Sequence, residues 1–122
     1  MNKEELLAKI KSTRGYVLPM HEMLAQYHPE YLNTYDDWFN SVMNEKSPLP
    51  RKVREFVMIA VCLSINSAEN VVLGHMKRAM EHGASIEELL AVVELTVSSH
   101  AAKPLAAGTR GVQALLDEKK KS

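Results

Sequence analysis

The sequence contains one cysteine, Cys62, among 122 residues. A single thiol cannot form an internal disulfide, so the chain fits a reducing compartment. No apolar run approaches the roughly 20 residues that a membrane-spanning helix needs. The first residues pass directly into an amphipathic pattern without the apolar segment of a signal peptide. We therefore expect a cytoplasmic protein that does not enter a membrane.

An excess of charge of either sign is also lacking. Fifteen basic residues balance fifteen acidic ones, and the formal net charge is zero. Affinity for a phosphate backbone comes mainly from clustered positive charge, so we expect no nucleic-acid partner. A small anionic molecule held by one or two local charges remains compatible with this composition.

Motifs for metals and phosphates are absent as well. His21 and Glu22 begin an H-E-x-x-H pattern, but Ala25 occupies the position of the second histidine. The five glycines are scattered and form no phosphate-binding loop. We expect neither a metal nor an organic cofactor.

Apolar residues make up 46% of the chain, and their spacing of three and four is helical throughout. We predict an all-α bundle of about six to seven helices in a single domain spanning residues 1–122. Pro19, Pro29 and Pro104 are each predicted to open a helix, because proline fits the first turn. The two prolines of segment 47–50 predict a linker.

Two of the predicted helices, 56–65 and 89–97, are almost continuously apolar. A helix that is apolar on every side must be covered on every side. A domain of this size buries only roughly 65% of its surface on folding, so two such helices are difficult to cover within one chain. We therefore predict a homo-oligomer in which part of this surface forms a subunit interface.

Glu55 lies in the first turn of the most apolar helix, on the same face as Met58, Ile59 and Cys62. An apolar environment disfavours a carboxylate, so its pKa is expected to rise into the range of a general acid or base. The alternative is that an acidic residue in a first turn stabilises the helix dipole. Cys62 itself is expected to be a buried, inert core residue.

His75 follows Glu55 by twenty residues and lies on the next helix. Two helices joined by a short turn pack antiparallel, which can bring Glu55 and His75 together as a proton-transfer pair. Alternatively, His75 belongs to a partly polar, solvated helix face. His100 ends an apolar helix, where the helix dipole alone would favour it, or it reaches the same cavity as His75.

The segment LPRKVREFVMIAV, residues 49–61, resembles the "L-x-x-K-x-R-E-L-I-x-L-A-V" helix of the carboxymuconolactone decarboxylase / AhpD-like family. The segment HMKRAMEHGASIEEL, residues 75–89, is similar to that family's "H-x-x-x-A-x-x-x-G-A-T-x-E-E-I" segment. Pro104 matches the proline that opens the family's last helix. The resemblance covers residues 14–117.

The resemblance implies an all-α bundle assembled into trimeric or hexameric rings, with Glu55 and His75 as acid and base in a cavity near subunit contacts. Redox members of the family carry a C-x-x-C shortly before that histidine, and residues 67–73 contain no cysteine. Many members have a glycine-rich segment where this chain has His100 and Lys103. We expect these two residues to bind the substrate, Lys103 by contacting the substrate's carboxylate. The alternative is that Lys103 narrows the cavity.

On this basis we expect a decarboxylase-like lyase acting on a small carboxylated lactone or a related acid. The main alternative is a non-catalytic oligomeric binding or accessory protein on the same scaffold. An AhpD-like peroxidase or thiol oxidoreductase is the third reading, and it is disfavoured because an attacking and a resolving thiol are both required.

Overall fold

The computed structural model describes residues 1–121, and all of its regular secondary structure within that range is α-helical. The all-α class predicted from the sequence is confirmed, with the helix count at the lower end of the expected range. The six helices are α1 (Lys3–Arg14), α2 (Pro19–Tyr27), α3 (Pro29–Met43), α4 (Arg51–Ser64), α5 (Glu69–Glu81) and α6 (Ile86–Lys121).

Local chemistry defines the ends of several helices. Asn2 and Glu5 form a capping box at the start of α1, in which each side chain accepts from the other's backbone N–H. The capping box expected before α6 is present between Ser85 and Glu88, with N–H to oxygen distances of 3.1 and 3.0 Å. Gly15 ends α1 in the left-handed conformation, with φ of 84°.

Helix α6 runs without interruption through Pro104 for 36 residues, or roughly 54 Å. The prediction that Pro104 opens a separate helix is therefore wrong. Proline in a helix interior removes one backbone hydrogen bond and crowds the preceding turn. Good helix formers surround it here, with Ala101, Ala102 and Lys103 before it and Leu105 after it, and they keep the chain helical on both sides.

The core consists of two separate apolar clusters. Helices α1, α2 and α3 enclose the first, and α4, α5 and the start of α6 enclose the second. Each cluster thus belongs to three helices that are consecutive in the chain. The buried members are Leu6, Ile10, Ala25 and Leu32 in the first cluster and Ile59, Ala79, Ala84 and Leu89 in the second.

Polar contacts join the two halves of the fold, the first formed by α1, α2 and α3 and the second by α4, α5 and α6. Arginines from the second half donate to backbone carbonyls of the first half: Arg54 Nη1 lies 2.8 Å from the Asn44 oxygen, and Arg78 Nε donates to the Arg14 oxygen. The buried ionisable residues of the protein include Arg54 and five others, namely Arg14, His21, Asp36, Glu55 and His75. The candidate functional residues lie at this junction.

Much apolar surface remains exposed in the single chain. Val57 and Val61 of α4 and Ile65 directly after it are exposed. One chain alone therefore does not cover helix 56–65 on all sides, and the predicted subunit interface stays a prediction. Every residue of α6 from 101 to 121 is exposed as well. None of the helices in residues 1–121 has both the length and the apolar character needed to cross a bilayer.

Candidate functional site

A carboxylate–imidazole pair lies at the junction between the two halves. Glu55 lies in α4 and His75 in α5, and Glu55 Oε2 is 2.7 Å from His75 Nδ1. Glu55 is fully buried, and only 3% of His75 is exposed. The short connection between α4 and α5 makes these helices antiparallel neighbours, and this geometry brings together two residues twenty positions apart. Their catalytic role stays a prediction.

Arg51, one turn before Glu55, completes the environment of the carboxylate. Its Nε lies 3.0 Å from Glu55 Oε1. Burial alone would raise the pKa of Glu55, but hydrogen bonds and positive charge from His75 and Arg51 together outweigh it and lower the pKa below its usual value. The predicted rise in the pKa of Glu55 is wrong, because the sequence pattern showed the apolar face but not these two partners.

The ionisation state of Glu55 determines which nitrogen of the His75 imidazole carries the proton. An ionised carboxylate has no proton to donate, so His75 Nδ1 carries the proton and donates to Glu55. This leaves His75 Nε2, which makes no hydrogen bond to any residue between 1 and 121, as the atom available to a reacting molecule. A carboxylate that orients an imidazole in this way is a recurring arrangement for general acid–base catalysis.

Tyr16 is a functional neighbour that the sequence analysis did not identify. Its ring meets the His75 ring edge-on, with 6.4 Å between centroids, and stacks on the His21 ring at the same distance. A β-carbon at Gly74 would lie 3.1 Å from Tyr16 Cδ1, so the absent side chain allows the ring to approach α5. Burial raises the pKa of Tyr16 more than the nearby charge of Arg14 lowers it.

A second buried polar group lies behind Tyr16. Arg14 Nε pairs with Asp36 Oδ1 at 3.2 Å, and the guanidinium stacks over the Phe39 ring. His21 Nδ1 accepts from the Leu18 N–H at 2.9 Å, and burial lowers the pKa of His21. Arg14 Nη2 and His21 Nε2 are buried without a hydrogen-bond partner among residues 1–121. In the sequence, these polar residues show only the regular spacing of a helix, and that spacing does not tell buried polar positions from exposed ones.

Two clefts adjoin these residues. The first, of about 230 Å³, has Tyr16, Gly74, Lys77 and Arg78 in its lining, and we call it the outer cleft. The second, of about 310 Å³, is lined by Arg51 and Arg78, and we call it the arginine cleft. The other residues lining the arginine cleft are Ser12, Thr13, Asn40, Met43 and Asn44.

The predicted substrate-binding residues lie elsewhere in the single chain. His100 Nε2 contacts Ser64 Oγ at 2.8 Å, and His100 lines an apolar groove of about 460 Å³ between α4 and α6. Lys103 lies one turn further along the exposed part of α6. The structure brings neither residue to the Glu55–His75 pair within one chain.

Cys62 is buried and unpaired, as expected of a core residue. No group of three or more His, Cys, Asp or Glu residues within residues 1–121 is arranged to hold a metal ion. The junction presents a carboxylate, an imidazole, a phenol and guanidinium groups.

Comparison with known proteins identifies the class. Residues 29–112 match the carboxymuconolactone decarboxylase family, and the chain belongs to it. The fold is similar to the crystal structure of a protein from Burkholderia xenovorans LB400 that is provisionally named a carboxymuconolactone decarboxylase. The similarity has a TM-score of 0.68 at 20% identity and covers 80% of this chain and 78% of the other. No curated protein is significantly similar to the sequence.

Proposed function

We propose that the protein is a carboxy-lyase acting on a small carboxylated lactone or a related acid in the cytoplasm. The observation that carries this proposal is the buried contact of 2.7 Å between Glu55 and His75. Membership of the carboxymuconolactone decarboxylase family supports the reaction class.

The proposed reaction uses the two residues as a proton-transfer pair. The bond to the substrate carboxylate breaks, carbon dioxide leaves, and the electron pair passes into a conjugated carbonyl of the substrate. His75, which already carries a proton at Nδ1, takes up a second proton from solvent at Nε2, and ionised Glu55 stabilises the resulting imidazolium and fixes its orientation. Transfer of the Nε2 proton to carbon completes the reaction and returns His75 to its neutral state. The substrate supplies its own electron sink, so this scheme needs no cofactor.

An alternative function is favoured by the burial of the pair. Neither Glu55 nor His75 lines the two clefts beside it, and both are enclosed in the single chain. A non-catalytic binding or accessory protein would keep such a pair as a structural link between the two halves. In the catalytic reading, a substrate must reach His75 from a cleft that His75 does not line. Tyr16 contacts the His75 ring and lines the outer cleft, so we propose that its displacement connects the two.

Assembly into a homo-trimer or homo-hexamer is part of the proposal. The apolar surface of α4, the groove of about 460 Å³ and the exposed length of α6 support it. In such an assembly the site becomes a cavity between subunits. His100 and Lys103, on the exposed helix, would contribute to substrate binding from a neighbouring copy.

The test is a thermal-shift screen of small lactones, keto acids and dicarboxylates, followed by an assay for carbon dioxide release from each ligand found. A ligand at 100 times its dissociation constant should stabilise the native state by about 2.7 kcal/mol. We expect Glu55→Gln and His75→Ala to abolish turnover, and His82→Ala, an exposed histidine on the same stretch of chain, to leave it intact. Tight binding without turnover would favour the accessory protein instead.

A further inference from the structure

We propose that the arginine cleft is a binding site for a small oxyanion, held between the guanidinium groups of Arg51 and Arg78. Both residues line this cleft of about 310 Å³ at the junction between the two halves of the fold. The oxyanion is a carboxylate or a phosphate group. If the lyase proposal holds, it is the substrate's carboxylate; the binding site itself does not depend on catalysis.

The composition of the arginine cleft favours an anionic ligand. Two cationic side chains line it, and no acidic residue does. The hydroxyl groups of Ser12 and Thr13 already donate to backbone carbonyls of α1, and the Asn40 amide donates to Asp36. Arg51 donates through Nε to Glu55 and through Nη1 and Nη2, at 3.4 Å each, to the backbone oxygens of Met43 and Thr13. Each of these two terminal amino groups has a second N–H, so the donors left for a ligand are these and the terminal N–H groups of Arg78, which match the planar geometry of an oxyanion.

Arg78 forms no ion pair with a carboxylate among residues 1–121. The other three buried or half-buried arginines of residues 1–121 each have one: Arg14 pairs with Asp36, Arg51 with Glu55 and Arg54 with Glu45. Arg78 donates through Nε to a backbone oxygen, and its two terminal amino groups make no hydrogen bond within that range. A half-buried cation in this position is stabilised by a bound anion.

The two guanidinium groups also act on one another. Burial lowers the pKa of Arg78, and the positive charge of Arg51 lowers it further. Like charges held close together at the lining of one cleft repel, and an anion between them replaces repulsion by attraction to both. The same arrangement links the cleft to the Glu55–His75 pair, because Arg51 Nε also contacts Glu55.

The experiment is isothermal titration calorimetry at low ionic strength, with succinate and with inorganic phosphate as probes. We expect wild type to bind at least one of them, with an affinity that falls as salt is added. Binding of succinate alone assigns the site to carboxylates, and binding of phosphate as well assigns it to oxyanions in general. Absence of binding by both probes at about 20 mM would overturn the proposal, because two charge-assisted contacts should give an affinity tighter than this.

Two matched substitutions locate the site. Arg78→Gln should weaken binding at least about tenfold, the loss expected when a charge-assisted hydrogen bond is removed. Lys77→Gln removes the same charge from the adjacent position, which lines the outer cleft and not the arginine cleft, whereas Arg78 lines both. This control should change the affinity by less than about twofold. Equal losses of anion affinity in the two variants would show that only the overall charge of the protein matters, and this would contradict the proposal.

A second pair of variants remains informative if Arg78→Gln unfolds the protein. Ser12 is exposed at the edge of the cleft, so substitution there should not affect folding. Ser12→Glu supplies an internal carboxylate that competes with the probe, whereas Ser12→Gln has the same size and no charge. Binding should be lost in the first variant and kept in the second. Loss in both would place the probe elsewhere.

Glu55→Gln separates this proposal from the lyase proposal. It removes the carboxylate that competes for Arg51, so anion binding should be retained or tightened. The same variant should abolish release of carbon dioxide. Anion binding without carbon dioxide release in wild type or any variant would support the anion site and contradict the lyase proposal. Loss of anion binding in Glu55→Gln would contradict the anion site.

Discussion

The Tyr16 ring lies directly against the backbone of Gly74. A β-carbon at position 74 would stand 3.1 Å from Tyr16 Cδ1 and 3.2 Å from Cε1, closer than ordinary van der Waals contact. The ring has rings of His21 and His75 on two sides, which limits its ability to shift. Gly74 precedes His75 in α5, so this close approach sets the position of Tyr16 relative to the candidate base.

The first prediction concerns Gly74→Ala. Alanine should stabilise α5 by about 1 kcal/mol through helix propensity, but the contact with Tyr16 should cancel or exceed that gain. In a Tyr16→Ala background the same substitution should stabilise the protein, giving a coupling energy of about 1 kcal/mol or more in a double-mutant cycle measured by urea unfolding.

Gly108→Ala is the matched control for Gly74→Ala. Gly108 also lies within a helix, and an added β-carbon there meets nothing within 4 Å. This substitution should stabilise the protein by up to about 1 kcal/mol irrespective of residue 16. Equal effects of the two glycine substitutions in wild type would show that the Tyr16 contact has no energetic consequence.

Sequence periodicity predicted the helices well because their signals are local. The prolines at positions 19 and 29 open helices as expected, and Gly15 and Ser85 mark helix ends by their own backbone chemistry. Pro104 was misread because its local effect is opposed by strong helix formers on both sides. A proline signals only a preference, and the neighbouring residues decide the outcome.

The site was only partly predictable. Glu55 and His75 could be associated because one short turn separates their helices and the resemblance points to both. Arg14 and Asp36 are 22 positions apart, and Tyr16 and His75 are farther apart still, so no spacing rule relates either pair. The pKa of Glu55 depends on which cations contact it, so the direction of its shift required the three-dimensional arrangement.

The second prediction concerns the buried ion pair between Arg14 and Asp36. Asp36→Asn removes the charge partner and leaves the Arg14 guanidinium buried, which should cost about 3–5 kcal/mol of the free energy of unfolding. Asp37→Asn is the neighbouring control. Asp37 is 62% exposed and pairs with Lys9, so its loss should cost less than about 1 kcal/mol. Urea unfolding of both variants measures the difference, and similar values would contradict a structural role for the buried pair.

The third prediction concerns stability against pH. The ordinary pKa of histidine is 6.5, and burial lowers the pKa of His21 in the folded state. As pH falls, the unfolded chain therefore binds a proton at this position before the native state does. The free energy of unfolding should decline from about pH 6.5 downward and become constant again below the folded pKa.

Glu55 acts in a lower pH window. The pKa of Glu55 in the folded state lies below its ordinary value of 4.5, so its stabilising contribution is complete above about pH 4.5 and is lost as pH falls through the folded pKa. The decline between about pH 6.5 and 5 should therefore become shallower in His21→Asn, which can still accept from the Leu18 N–H. The control His28→Asn, at an exposed position, should retain the full decline. An identical pH profile for both variants would exclude His21 as its cause.

The last prediction concerns the exposed apolar face of α6. Leu95 is 71% exposed in the single chain, and a leucine of this kind contributes most when a partner covers it. Leu95→Glu should shift the protein from its assembled form toward monomer in size-exclusion chromatography with light scattering, with the helical circular dichroism retained. Glu94→Gln changes a polar residue on the same helix turn and should leave the mass unchanged. A wild-type protein that is already monomeric at low micromolar concentration would contradict the proposed assembly, and with it the contribution of His100 and Lys103 to a site on a neighbouring copy.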